Sequence, residues 1–125
     1  MKSLCPVQFW IETDVSLEGW GACLDDKTSG GRWTNVESTY HINYLELLSI
    51  FNALKALCAN SNKCHIGITN DNFTAVSYIN NMGGMTSEAL DELACKIWLW
   101  CLERDIFISA QHIPGDTNVQ ADTLS

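Results

Sequence analysis

Positive charge is scarce in this sequence. Seven Lys and Arg stand against 15 Asp and Glu in 125 residues, a formal net charge of −8. Proteins that grip nucleic acid through its phosphates usually show a basic footprint, so this balance argues against a strong grip of that kind. The same acid surplus suits a site that gathers divalent cations through carboxylates. Composition does not choose between the two, and the chemistry has to be sought in position.

Other absences narrow the classes. There are 2 Pro, no internal repeats, no low-complexity segment and no internal linker. No apolar run approaches a membrane span, so no membrane partner is expected. The opening Met1-Lys2-Ser3-Leu4-Cys5-Pro6 is too short and too polar for a signal peptide. Cys5, Cys23, Cys58, Cys64, Cys95 and Cys101 form no C-x-x-C pair, and His41, His65 and His112 show no ligand spacing with them. That pattern argues against zinc. Several of the cysteines lie in apolar runs, as in Leu57-Cys58-Ala59 and Trp100-Cys101-Leu102. They read as reduced core thiols. An intracellular protein, cytoplasmic or nuclear and not secreted, is the expectation. The length fits a single domain over residues 1–125 with a real core.

What is present falls into two textures. Residues 7–13 and 20–24 read as strands, residues 25–31 as a glycine-bearing hairpin turn, and 32–36 as a third strand. Beyond them, apolar residues recur at helical spacing over 44–58: Leu47, Ile50, Phe51, Leu54, Leu57 and Cys58. A strand over 64–69, helices over 72–81 and 87–103, and a strand over 105–110 follow. Residues 119–125 begin a last helix. A meander followed by alternating strands and helices predicts an α/β fold. Its sheet would be five-stranded and mixed, with two later strands parallel to the first and helices on both faces. Ligands in such sheets bind beyond the carboxyl ends of the parallel strands.

Four acids fall at that edge: Asp14 just past strand one, Glu46 in the first turn of the first long helix, Asp71 just past strand four, and Asp122 opening the last helix. Each also has a purely structural reading. Asp14 can serve a turn. Asn43 to Glu46 matches a capping box, with Asn43 as N-cap. Asp71 can cap the helix that it precedes, and Asp122 can complement a helix dipole.

The frames around the acids carry a resemblance. Ile11-Glu12-Thr13-Asp14 with Gly19-Trp20-Gly21-Ala22, and Asn43-Tyr44-Leu45-Glu46-Leu47, resemble the first and second motifs of ribonuclease H. Ile68-Thr69-Asn70-Asp71-Asn72 resembles the third. His112-Ile113-Pro114-Gly115, Asn118 and Ala121-Asp122-Thr123-Leu124-Ser125 resemble the fourth, in the form carried by ribonuclease H domains fused to reverse transcriptases of gypsy-type and tyrosine-recombinase retrotransposons. The motifs stand in order and span essentially the whole chain.

The resemblance implies an endonuclease of the retroelement class that hydrolyses the RNA strand of RNA–DNA hybrids during reverse transcription, leaving 5′-phosphate and 3′-hydroxyl ends. It implies two Mg²⁺ ions, replaceable by Mn²⁺, about 4 Å apart. Asp14 would bridge them, Asp122 would hold the ion on the nucleophile side, and Glu46 and Asp71 the ion on the leaving-group side. His112, ten residues before Asp122 (122 − 112), matches a mobile histidine that shuttles protons. Its alternative is a loop histidine bonded near strand five. Asn43 matches a minor-groove contact, where the 2′-hydroxyl distinguishes RNA. Asn118 matches an asparagine that orders a loop near the substrate. Trp20 and Trp33 read as core before stacking surface.

The sequence departs from cellular members of that family in several places. Only Gly83-Gly84-Met85 joins the second and third long helices, where a basic protrusion is common. Val15 and Phe73 replace a glycine and a polar groove contact. These departures imply weak, salt-sensitive binding, with grip supplied by a polymerase domain in cis in a larger polyprotein. An alternative is a catalytically weak or inactive tethering module of the same fold. A third is another nuclease of the superfamily, such as an integrase or junction resolvase, which the Glu46 and Asp122 frames oppose.

Overall fold

A computed structural model describes residues 6–81 and 87–114. The elements run β1 (Phe9–Val15), β2 (Gly19–Leu24), β3 (Lys27–Arg32), a 3-10 turn (Glu37–Thr39), α1 (Ile42–Leu57), β4 (Cys64–Asn70), α2 (Phe73–Asn80), α3 (Glu88–Leu102) and β5 (Ile106–His112). The strands form one sheet in the order β3-β2-β1-β4-β5. β1–β2 and β2–β3 pair antiparallel, while β1–β4 and β4–β5 pair parallel. This is the expected five-stranded mixed sheet. The expected helix over 119–125 lies outside the described residues, as does Gly83-Gly84-Met85.

Period-two alternation decides the inward side chains. Register aligns Ile11 with Ile68 and Ile66 with Ile108. These residues, with Ala22, Leu24 and Ile106, form one cluster with Leu47, Ile50 and Leu54 of α1, Tyr78 and Ile79 of α2, and Leu90, Leu93, Ala94, Ile97 and Cys101 of α3. The α3 face expected from spacing is the buried one. Trp98 turns its indole N–H to the Ile79 carbonyl at 2.9 Å, which satisfies its one polar atom. Asn80 bonds both ways to the Ala110 backbone, closing part of the outer edge of β5. Among the described residues, no helix is long and apolar enough to cross a membrane.

Several boundaries differ from the sequence reading. β1 runs through Val15, so Asp14 lies inside the strand opposite Gly21 and is no turn residue. Ser16 makes that turn, its hydroxyl accepting from the N–H groups of Glu18 and Gly19. The β2–β3 hairpin turns at Asp25-Asp26, with Asp25 at φ 56°. Ser29, Gly30 and Gly31 therefore lie within β3, opposite Ala22, Gly21 and Trp20; a Cβ at Gly30 would sit 2.8 Å from the Trp20 carbonyl oxygen, and one at Gly31 2.9 Å from the Trp20 indole nitrogen. Trp33 is buried, with its indole on the Ser16 carbonyl at 3.1 Å, and Trp20 packs against the core. The core reading of both tryptophans holds. Cys23, Cys58 and Cys101 are buried free thiols, whereas Cys64 is half-buried and Cys95 exposed. Burial pushes the Cys58 thiol up to about 11 and that of Cys101 to about 12.

Candidate metal centre

Three acids arrive from three elements. Asp14 is the penultimate residue of β1, Asp71 follows the last residue of β4, and Glu46 lies in the second turn of α1, counting from Ile42. One carboxylate oxygen from each comes within 4.8 Å of the others. The cluster sits at the carboxyl ends of the parallel strands β1 and β4, where such sheets place their ligands. Asp122 and Asn118 lie outside the described residues, so the fourth expected acid is not positioned here.

The competing cap readings resolve locally. The N-cap of α1 is His41, not Asn43: its Nδ1 accepts the Asn43 N–H at 3.0 Å. Imidazole is an uncommon cap, and composition therefore favoured Asn43. With His41 in that place, Glu46 is not consumed by a capping box and turns into the cluster. Asn72, not Asp71, caps α2, its Oδ1 accepting from the Ala75 N–H at 2.8 Å. Asn43 instead accepts from the Asn72 amide at 3.0 Å.

The electrostatics are those of crowded anions. Glu46 is buried, which pushes its carboxyl up to about 8; an Asn70 hydrogen bond works against this, while the charges of Asp71 and Asp14 add to it. Asp71 is raised as well, first by burial and then by Asp14, with His112 pulling the other way. Among the described residues the one Lys or Arg ion pair is Arg104 with Glu103, so no such cation neutralises Glu46 or Asp71. An all-oxygen set with two of its three members buried is the donor set of a hard divalent ion such as Mg²⁺ or Mn²⁺. The residues fit such an ion. No group of three or more His, Cys, Asp or Glu that could hold a metal appears elsewhere among the described residues.

His112 ends β5, aligned with Asn70, and is a strand residue and not a loop one. Its Nε2 lies 3.1 Å from the Asp71 carbonyl. His65 is buried against Ser109 at 2.9 Å and plays no part here. Sequence reasoning missed two features. One is Asn70, whose buried amide touches Glu46. The other is a cavity of about 530 Å³ lined by Tyr40, His41, Asn43, Tyr44, Ser87 and Leu90. Asn70 reads as a strand end in sequence, and the cavity walls come from segments over 40 residues apart.

No family model matches the sequence, and no curated protein matches it. Solved structures do. LC11 ribonuclease H1, isolated from compost and solved in complex with RNA/DNA hybrid, is 22% identical with a TM-score of 0.71, over 94% of this chain and 93% of that one. The N-terminal ribonuclease H domain of Rv2228c from Mycobacterium tuberculosis is 19% identical with a TM-score of 0.69, over 95% and 91%. Ribonuclease H1 from Halobacterium salinarum is 19% identical with a TM-score of 0.64, over 93% and 91%. The fold is ribonuclease H-like. At these identities the likeness establishes the ribonuclease H-like architecture, which is the one anticipated from the four motifs.

Proposed function

We propose that the protein is a divalent-metal-dependent ribonuclease H, an endonuclease that hydrolyses the RNA strand of RNA–DNA hybrids. The observation that carries this reading is the cluster of buried Asp14 and Glu46 with half-buried Asp71 at the carboxyl ends of β1 and β4, within a fold shared over nearly its full length with a protein solved on RNA/DNA hybrid. Asp14, Glu46 and Asp71 would hold the metal, with Asp122 as a fourth ligand by motif resemblance. Bound ions would activate water and stabilise charge on the departing 3′ oxygen. The chain's own residues have distinct tasks. The carboxylates fix the ions, and burial excludes competing water from Glu46. Asn43 and the cavity beside it face the nucleic acid, with Tyr40 and Tyr44 offering apolar ring surface for sugars and bases. His112, whose Nε2 lies beside the Asp71 carbonyl, would move a proton near the departing group. Asn118 would order the loop before Asp122.

The charge balance supports the wider context. With 7 basic residues the chain has few phosphate contacts to offer. A polymerase domain in cis would supply grip, as in retroelement reverse transcriptases, making residues 1–125 one domain of a larger intracellular polyprotein. The same shortage favours a second reading, a tethering module without turnover.

Labelled RNA–DNA hybrid incubated with the chain and Mg²⁺ or Mn²⁺ separates them. The proposal expects RNA cleavage that Asp71→Asn abolishes. Hybrid left intact at high enzyme and Mn²⁺ overturns it.

A further inference from the structure

Asn70 closes β4 and is 0% exposed. A buried amide must place two N–H donors and one oxygen, because a buried polar group left unmet is destabilising. Both ends of this amide are engaged. Oδ1 accepts the backbone N–H of Asn72 at 2.7 Å. A backbone N–H can only donate, so this contact fixes which end of the amide is oxygen. Nδ2 then points into the cluster, donating to Thr13 Oγ1 at 2.7 Å and to Glu46 Oε1 at 3.1 Å.

The partners of that amide are spread over the whole centre. Thr13 precedes Asp14 in β1, Asn72 follows Asp71 and caps α2, and Glu46 is itself one of the acids. The Asn70 backbone carbonyl also accepts from the Ile113 N–H at 3.1 Å, tying in the end of β5. Asn72 passes the connection on to Asn43, at the wall of the cavity. Burial and hydrogen bonding thus converge on a residue that carries no charge and cannot replace a carboxylate.

A donor held on Glu46 Oε1 restrains a side chain with three rotatable bonds beside two like-charged neighbours. Without it, an ionised Glu46, the form that binds a cation, would be driven by repulsion from Asp14 and Asp71 toward rotamers that carry it out of the cluster. We infer that Asn70 is a positioning residue for a divalent-cation site: its amide holds Glu46 where Asp14, Glu46 and Asp71 can share an ion. The inference rests on the metal-site reading given above.

Mn²⁺ binding to the full chain, read from the free-ion electron paramagnetic resonance signal, tests it without reference to activity. Asn70→Leu is nearly isosteric and removes every side-chain bond. Asn70→Ser keeps the site polar and is the second variant should leucine not fold. Outer-sphere partners of metal ligands are worth roughly 10–100-fold in affinity. Both variants should therefore weaken Mn²⁺ binding about tenfold or more. Thr13→Val breaks the other Nδ2 contact and serves as the control; it should lower melting temperature and leave the Mn²⁺ affinity in place. In a Glu46→Gln background, Asn70→Leu should have no further effect on affinity, since the two act as one unit. Folded Asn70 variants that bind Mn²⁺ like the wild type overturn the inference and leave the metal site standing. An equal loss in the Glu46→Gln background overturns it as well. Wild-type chain that binds no Mn²⁺ overturns the site reading itself, and the inference with it.

Discussion

The rings of Phe73 and His112 meet edge to face, centroids 5.8 Å apart with planes at 83°. His112 Nε2 lies 3.1 Å from the Asp71 carbonyl oxygen, and a carbonyl can only accept, so Nε2 carries the hydrogen there. Phe73 is 69% exposed and contributes nothing to the core. Its ring contact holds the imidazole beside Asp71. Aromatic pairs in this geometry are worth about 0.5–1.5 kcal/mol.

That energy sets the scale of a kinetic effect. Phe73→Leu keeps apolar bulk and removes the ring. Hybrid cleavage should slow about two- to tenfold in kcat, with KM nearly unchanged and Phe73→Tyr restoring the rate. Adding Phe73→Leu to His112→Ala should change nothing more, because the ring acts through the imidazole. Steady-state kinetics on the four variants decides it. A rise in KM at constant kcat would make Phe73 a contact to the nucleic acid instead.

Two glycines should differ sharply when replaced. A Cβ at Gly19 would sit 2.1 Å from the Gly31 carbonyl oxygen, which is backbone of the paired strand and cannot swing aside. A Cβ at Gly67 would meet the Trp10 ring at 2.6 Å, but that ring is 44% exposed and can rotate away. Gly19→Ala should cost about 2–3 kcal/mol and Gly67→Ala about 1 kcal/mol or less, the range of overpacking with and without relief. Urea unfolding measures both, and Gly67→Ala should also shift tryptophan emission to the red. Equal costs would mean that Trp10 is locked in place.

These cases mark what the sequence could convey. Helical spacing placed α1 and α3, because Leu47, Ile50 and Leu54, or Leu90, Leu93 and Ile97, repeat at the period of the surface that they bury. Motif order located Asp14, Glu46 and Asp71. Gly30 and Gly31 misled because a glycine pair reads as a turn, while here it makes room for Trp20 across the strands. That demand is non-local and leaves no local mark. His41 misled because imidazole seldom caps a helix. Asn70 was invisible as a functional residue for the same reason as the glycines: its partners Thr13 and Glu46 lie 57 and 24 residues away in sequence.

Stability should depend on pH with a sign opposite to that of an ordinary buried ion pair. Glu46 titrates near its usual 4.5 when the chain is unfolded and is pushed up to about 8 in the folded chain. Between those values the folded chain keeps a proton that the unfolded chain has released. Stability therefore falls as pH rises across this window; the favourable contribution is complete below 4.5 and gone above 8. Asp71, also raised, acts in the same direction. A chelator-treated wild-type chain should lose melting temperature steadily from about pH 5 to about pH 9. Glu46→Gln, which is neutral throughout, should flatten that slope. Divalent ions compete with the same proton, so Mn²⁺ affinity should climb over the same window and offset the loss. Melting curves with chelator and with Mn²⁺, for wild type and Glu46→Gln, measure each term. Parallel slopes for the two proteins in chelator would show that the proton is held elsewhere than on Glu46, and would remove the electrostatic argument for this cluster as a cation site.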